Sequence, residues 1–137
     1  MLQRQLITYL ALFYTLMKRK IKGKKINGKQ MRSSTIERIT NETKVNLVLD
    51  LDGVGKGKIK TNIPFFDHML EQLTFHSSVD LELNARGDID IDFHHSVEDC
   101  GICLGKAFVE ALGDKKGINR YGFFLLPMDD ALIRVVL

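Results

Sequence analysis

A change from strand to helix periodicity lies within residues 81–113, which read LELNARGDIDIDFHHSVEDCGICLGKAFVEALG. Residues 81–85 alternate apolar and polar side chains, which is typical of a strand with one buried face. Gly87-Asp88 predicts a turn, and residues 89–93 then alternate again. We therefore predict a β-hairpin that leads directly into His94 and His95, so that both histidines follow the end of a strand.

An amphipathic helix is predicted directly after the two histidines. Ser96 is a candidate N-cap with Asp99 three residues further on, and Gly113 suits the end of a helix. Between them an apolar stripe recurs at helical spacing. The stripe consists of Val97, Cys100, Gly101, Leu104, Phe108 and Ala111.

Upstream of this segment, the sequence predicts strands and an earlier helix. Residues 35–40 and 44–52 alternate, and glycines at 53, 55 and 57 predict a hairpin turn before a short strand at 58–61. The spacing of these glycines is not that of a phosphate-binding loop. A helix is predicted from Pro64 to about His76. On the strand predicted at residues 44–52, we expect one face to be buried, and that face consists of Val45, Leu47, Leu49 and Leu51.

Two further strands are predicted downstream, at residues 122–126 and 131–137. Strands with one apolar face need helices to cover it, and two helices are available. The predicted fold class is therefore α+β, a two-layer half-domain of strands covered by two helices. The end of the chain inside the last strand predicts a truncated domain.

Composition and charge exclude several classes of protein. The 137 residues, 45% hydrophobic and 27% charged, fit one globular domain. The net charge beyond residue 30 is −5, a poor match for nucleic-acid binding, which depends on clustered basic residues. Cys100 and Cys103 are the only cysteines, too few for a disulfide-stabilised secreted domain. We expect a cytoplasmic protein with no nucleic-acid or membrane partner.

Residues 1–31 form a leader of different composition, with eight basic residues and no acidic residue among the first 30. The apolar run at residues 6–17 is shorter than the ~20 residues that span a bilayer, and its basic residues mostly follow it rather than precede it. A plastid or other targeting segment is one interpretation. We favour an upstream extension from a misplaced start, with Met31 as the natural first residue.

His94-His95-Ser96-Val97-Glu98-Asp99 is the strongest chemical signal. Imidazole and carboxylate together suit Mn, Fe, Co or Zn, and Glu98 shares a helical face with either histidine. The two adjacent imidazoles diverge, so two metals could take one each more readily than one metal could take both. The alternative is a surface or capping feature without bound metal.

A second signal is Asp67-His68 at the start of the earlier helix. This places three of the four histidines beside carboxylates at helix starts, while His76 is interpreted as structural. The Cys-x-x-Cys spacing of Cys100 and Cys103 is interpreted as core packing, with a redox or zinc site as the alternative.

Five segments resemble motifs of the imidazoleglycerol-phosphate dehydratase family, and the resemblance extends from Arg32 to Leu137. Residues 62–73 are similar to the family's G-I-P-F-L-D-H-M-L-x-Q-L, and residues 87–99 to its G-D-x-x-I-D-x-H-H-x-x-E-D. Residues 111–122, 127–131 and 38–43 resemble A-L-G-x-x-x-G-I-x-R-[FY]-G, P-x-D-E-A and R-x-T-x-E-T.

The resemblance implies a lyase that converts imidazole glycerol phosphate to imidazole acetol phosphate plus water in L-histidine biosynthesis. It implies two Mn²⁺ per complete site, self-association into a 24-subunit oligomer, and a duplicated fold of which residues 32–137 would be the N-terminal half. By position in the motifs, His68, His94, His95 and Glu98 would be metal ligands. Glu42, His68 and Glu98 would be catalytic, and Glu42, Gln72, Arg120 and Asp129 would bind substrate, with Arg120 on the phosphate.

Departures from the family pattern keep an alternative open. Asn62 replaces a glycine, although asparagine tolerates a left-handed backbone, and Asp130 replaces a glutamate. The chain ends before the family's second His-His-x-x-Glu segment. The alternative is therefore a truncated, inactive half-domain with a partial metal site, and we expect little dehydratase activity from this chain alone.

Overall fold

The computed structural model describes residues 25–26, 29–30 and 32–136. Strands β1 (Lys25–Ile26) and β2 (Lys29–Gln30) pair antiparallel with each other. The predictions for the rest of the leader and for Leu137 lie outside the described residues. In the described residues, no helix is both long and apolar enough to cross a membrane.

Four strands form the main sheet, in the spatial order β3-β4-β6-β5. The strands β3 (Ser33–Ile39), β4 (Thr43–Asp50) and β6 (Asp80–Gly87) pair antiparallel. Strand β5 (Gly57–Lys60) pairs parallel with β6, and helix α1 (Pro64–Ser77) connects the two. Helix α2 (His94–Leu112) follows β6 and ends at Gly113.

Both helices pack on one face of this sheet. Val45, Leu47 and Leu49 of β4 are at most 1% exposed, as their alternation predicts, because the helices cover them. Full burial of each such side chain contributes about 1.5–3 kcal/mol relative to exposure. The opposite face of the sheet carries exposed polar residues such as Asn46 and Asn84. The predicted α+β class, strands covered by two helices, is confirmed.

The predicted hairpin around the glycines at 53, 55 and 57 is wrong. The strand that follows lies beside β6 and not beside β4. Asp80, at the start of β6, accepts hydrogen bonds from the backbone N–H groups of Val54 (2.8 Å) and Lys56 (2.7 Å). These bonds attach the glycine loop to β6 and direct the chain to the far side of that strand.

The second predicted hairpin is also wrong, because residues 88–93 form a turn and not a strand. The backbone N–H groups of Ile91 and Asp92 both donate to the carbonyl of Asp88. Ile91 and Phe93 are 80% and 53% exposed, so their alternation does not reflect burial against a neighbouring strand. His94 and His95 therefore begin a helix after a turn and do not follow a strand directly.

The helix start also differs from the prediction at Ser96. The Asp92 carboxylate accepts a hydrogen bond from the His94 backbone N–H (2.6 Å), and α2 begins at His94. Ser96 therefore lies inside the first turn, where it is 1% exposed, and it is not the N-cap. Asp99, predicted to accompany that cap, bonds instead to the sheet.

The two strands predicted downstream form an antiparallel hairpin, β7 (Phe123–Met128) and β8 (Ala131–Val136). Ala131, Ile133 and Val135 share the more buried side of β8. Phe123 and Val136 are about 70% exposed, since the hairpin packs mainly on itself.

Candidate functional site

Two imidazole–carboxylate pairs lie at the start of α2. His95 Nδ1 is 2.9 Å from Asp88 Oδ2, and His94 Nε2 is 3.7 Å from Glu98 Oε2, one helical turn away. The two imidazole rings meet edge to face with centroids 5.6 Å apart. Their nitrogens therefore engage different carboxylates, in agreement with the prediction that adjacent imidazoles diverge. We call residues 88–98 the histidine turn.

The histidine turn has a negative electrostatic environment. The hydrogen bond that His95 Nδ1 donates to the Asp88 carboxylate is the main cause that raises the pKa of His95 above its ordinary value. The charge of Asp88 also raises the pKa of His95, burial partly opposes this rise, and the charges of Glu42 and Glu98 add smaller upward contributions. Glu42, predicted from the family motif to act at the site, thus lies near enough to His95 to influence its charge.

A buried polar network connects the histidine turn to the β3–β4 connection. The Asp99 carboxylate, 6% exposed, accepts hydrogen bonds from Arg38 Nε (2.7 Å) and from the hydroxyls of Thr43 and Thr40. Thr40 Oγ1 in turn accepts bonds from the backbone N–H groups of Glu42 and Thr43. The network therefore fixes the loop that carries Glu42 against the first turns of α2.

This network also sets the charge of Asp99. Burial alone would raise the pKa of Asp99, but the hydrogen bonds from Thr43 and Arg38 together outweigh burial and hold that pKa below its usual value. Asp99 is therefore ionised at neutral pH, and its charge is neutralised by Arg38. Its role is structural support of the site.

The end of β6 approaches the first turn of α2 very closely at Gly87. A methyl group at this position would lie 2.1 Å from Ser96 Oγ and 3.2 Å from Thr43 Cγ2. Only glycine allows this approach. It brings Asp88, the next residue, beside His95.

Helix α1 carries two further predicted site residues, His68 and Gln72. Asp67 Oδ1 accepts from the backbone N–H (2.8 Å) and hydroxyl (2.6 Å) of Thr61, which anchors the helix start. His68 is exposed beside this anchor, and Gln72 Oε1 lies 3.2 Å from His76 Nε2. Asn62 has a φ of 65°, so the left-handed backbone expected where asparagine replaces glycine is confirmed.

Arg120 and Asp129 are placed apart from this group. Both are exposed, and Asp129 forms the turn of the β7–β8 hairpin with a φ of 52°. Within residues 32–136, no hydrogen bond or ion pair joins either of them to the histidine turn. Their roles on the phosphate and the substrate therefore stay predictions.

The donor chemistry fits a borderline metal such as Mn²⁺, because the four predicted ligands offer imidazole nitrogens and one carboxylate. Within the described part of the chain, however, no three His, Cys, Asp or Glu side chains come together in a way that could hold a metal ion. The four predicted ligands are thus divided among two pairs and His68, and each pair needs further donors.

Cys100 and Cys103 have no part in this chemistry. They are 2% and 0% exposed, and burial raises the pKa of Cys100 to about 12. Because the thiolate is the reactive and metal-binding form, buried thiols of this kind are inert. The prediction of core packing is confirmed.

Two features of the site were not predicted. Asp88 was interpreted only as part of a turn, and it is the partner of His95 across seven residues. Arg38 was noted only within a family motif, and it neutralises Asp99 across 61 residues. Asp88 lies before the helix that carries His95, and Arg38 lies on a strand distant in sequence from Asp99, so the periodicity of a single element could not have found either pair.

Comparison with known proteins identifies the family. The sequence profile of the family described as imidazoleglycerol-phosphate dehydratase matches residues 61–137. The chain is 54% identical over 105 residues to the imidazoleglycerol-phosphate dehydratase of Acinetobacter baumannii (strain AYE), covering 77% of this chain and 52% of that protein. It is 61% identical over 104 residues to that of Alkaliphilus metalliredigens, covering 76% and 53%.

A solved structure shows the same fold. The crystal structure of imidazoleglycerol-phosphate dehydratase from Staphylococcus aureus subsp. aureus N315 superposes with a TM-score of 0.64 at 36% identity. The match covers 76% of this chain and 56% of the Staphylococcus chain. The chain thus spans about half the length of the curated relatives it matches.

Proposed function

The chain belongs to the imidazoleglycerol-phosphate dehydratase family, and on that premise we propose that it supplies part of a site that dehydrates imidazole glycerol phosphate to imidazole acetol phosphate. The observation that carries the proposal is the meeting of His94, His95, Glu98 and Glu42 at one end of the sheet. The reaction class is a hydro-lyase of L-histidine biosynthesis in the cytoplasm.

We propose that His94, His95, Glu98 and His68 hold Mn²⁺ in the complete enzyme. The metal would stabilise negative charge on the substrate's own imidazole when a carbon-bound proton is removed. Each donor pair is short of a full coordination shell. We propose that the remaining donors correspond to residues outside the half of the relatives that this chain matches, or come from other subunits of a 24-subunit oligomer.

The other residues are proposed to act directly on the substrate. Glu42 is exposed and ionisable beside His95, so it can accept the proton from carbon and return it to the departing hydroxyl, which leaves as water. The enol formed by this loss rearranges to the ketone product. Arg120 would bind the phosphate, because its planar guanidinium donates two hydrogen bonds and stays charged. Gln72 and Asp129 would contact the rest of the substrate.

Turnover in a chimera tests the proposal. Residues 32–137 would replace the matching stretch of the Alkaliphilus relative, and dehydration of imidazole glycerol phosphate would be assayed with Mn²⁺. We expect an active enzyme that loses roughly 100-fold or more of its rate on Glu98→Gln. The matched control is Glu110→Gln, another exposed glutamate of α2, which should leave the rate unchanged.

Two outcomes would contradict the proposal. One is a chimera that is folded and inactive, and the other is equal activity of the Glu98→Gln and Glu110→Gln variants. The 137-residue chain assayed alone should show little activity, since its donor pairs are incomplete.

A further inference from the structure

Asp88 contacts His95 at one ring nitrogen and leaves the other facing away. The Asp88 carboxylate oxygen Oδ2 lies 2.9 Å from His95 Nδ1, and the Asp88 side chain is 20% exposed against 46% for His95. We propose that Asp88 is a positioning residue that fixes His95 as its Nδ1–H tautomer, with the Nε2 lone pair directed outward. The role of His95 Nε2 as a donor at the metal site rests on the proposed function.

The tautomer follows from the chemistry of the two groups. An ionised carboxylate can only accept hydrogen bonds, so the ring nitrogen facing it must carry the proton. In neutral imidazole the other nitrogen then holds the lone pair. Carboxylates paired with metal-binding histidines act in this way, fixing the ring orientation and making the ligand nitrogen more basic.

The surrounding backbone holds Asp88 in the required place. Its carbonyl accepts hydrogen bonds from the N–H groups of Ile91 (2.9 Å) and Asp92 (3.4 Å), which closes the turn below His95. Gly87 just before it packs against Ser96 of α2, with no room for a side chain. The carboxylate is therefore carried by a constrained turn, and it does not depend on a flexible surface loop.

Histidine ¹⁵N chemical shifts in the metal-free 137-residue chain test the inference. The shifts distinguish protonated from unprotonated ring nitrogens, and the spectrum would be recorded at about pH 9, well above the ordinary histidine pKa of about 6.5. Signals would be assigned with single His→Asn variants. His95 should be protonated at Nδ1, whereas exposed His68 should show the Nε2–H form that imidazole prefers in water.

The Asp88→Ala variant should shift His95 from mainly Nδ1–H to mainly Nε2–H. Asp90→Asn is the matched control, since it removes one charge from the same turn at an exposed side chain, and it should leave His95 unchanged. If Asp88→Ala does not fold, the unmodified chain still decides, because Nε2–H at His95 there would overturn the inference. Retention of Nδ1–H in a folded Asp88→Ala variant would overturn it as well.

The readout separates this inference from the proposed function. An inactive chimera together with Nδ1–H at His95 would reject the dehydratase assignment and leave the role of Asp88 intact. An active chimera with Nε2–H at His95 would reject only the role of Asp88.

Discussion

The Asp99 carboxylate is removed from water and depends on Arg38, Thr40 and Thr43 for its hydrogen bonds. Asp99→Asn removes the charge that these bonds stabilise and places an N–H₂ group where an acceptor is needed. We expect the free energy of unfolding to fall by about 1.5–3 kcal/mol, the range for hydrogen bonds to charged groups. Urea titration measures this change.

Glu37→Gln provides the control for Asp99→Asn. Glu37 lies on β3 next to Arg38, but its ion pair with Lys44 is 3.9 Å long and more than half exposed on both sides. Exposed pairs of this kind contribute little, so the loss should stay below about 1 kcal/mol. Equal effects of the two substitutions would show that the Asp99 network does not stabilise the fold.

The burial of Cys100 and Cys103 predicts that both thiols react slowly with alkylating reagents. Because burial raises the pKa of Cys100 to about 12 and also raises that of Cys103, neither thiol is ionised at neutral pH. Iodoacetamide should label both only as fast as the chain unfolds, and adding urea should accelerate labelling. Rapid labelling of the native chain would instead favour the redox interpretation of the Cys-x-x-Cys spacing.

At the scale of residues, the candidate metal-binding side chains could be predicted from the sequence, but their hydrogen-bond partners could not. Family motifs pointed to His94, His95 and Glu98, which the structure brings into one turn. The partnership of Asp88 with His95 depends on how the turn at residues 88–93 folds, and that turn was predicted as a strand. Its carbonyl hydrogen bonds, which alternation does not reveal, decide the conformation.

Among the elements, the junction of β6 with α2 is set by one close contact. Gly87→Ala would place a methyl group 2.1 Å from Ser96 Oγ, and overpacking of this kind costs about 1–3 kcal/mol. Ser96 Oγ is buried without a hydrogen-bond partner among the described residues, so Ser96→Ala alone should cost little. The double variant should recover much of the loss, which a double-mutant cycle by urea titration measures.

Gly101→Ala is the matched control for Gly87→Ala. Gly101 lies within α2 with no atom of the described residues within 4 Å of an added methyl group. Alanine should therefore raise stability by up to about 1 kcal/mol through its higher helix propensity. If Gly87→Ala were also neutral or stabilising, the close approach of β6 to α2 would be refuted.

Helices and strands could be predicted from the sequence where one periodicity dominated. The predictions failed where several interactions competed for the same segment. Strand β4 and both helices followed from apolar spacing because one face of each is buried. The strand that pairs with β5 could not be predicted from apolar spacing, because the hydrogen bonds from the glycine loop to Asp80 select β6. Pairing between strands distant in sequence is a tertiary choice that local patterns do not encode.

For the whole molecule, the hydrogen-bonded carboxylates of Asp80 and Asp99 predict the direction of its acid sensitivity. Burial would raise the pKa of Asp80 and Asp99, but hydrogen bonds outweigh it and lower both. A lowered folded pKa means that the stabilisation is complete above the unfolded value of about 3.9 and is lost as the pH falls through the folded value. The free energy of unfolding should therefore drop below about pH 4.

The Asp99→Asn variant tests that pH dependence. Its deficit relative to the unmodified chain should be constant between about pH 5 and 7 and should shrink as the pH falls below about 4, because protonation makes the two side chains alike in charge. Urea titrations at several pH values would measure it. A deficit that is independent of pH down to about 2 would contradict the lowered pKa of Asp99.

The fold class of the whole molecule could be predicted from periodicity, and the family from its motifs. The assembly of the site could not, because the relative placement of His68 on α1, Arg120 before β7 and Asp129 in the β7–β8 turn depends on tertiary packing. Within residues 32–136, no three candidate ligands converge, so the further donors of a metal site could not be predicted from this part of the chain.

Binding of Mn²⁺ to the chimera, followed by electron paramagnetic resonance, tests most directly whether the histidine turn is part of a metal site. The account predicts that His94→Asn and His95→Asn each weaken Mn²⁺ binding by at least about 10-fold, the smallest effect expected even for a supporting residue. His76→Asn, which alters an exposed histidine outside the turn, should leave binding unchanged. Unchanged affinity in both the His94→Asn and His95→Asn variants would contradict the account.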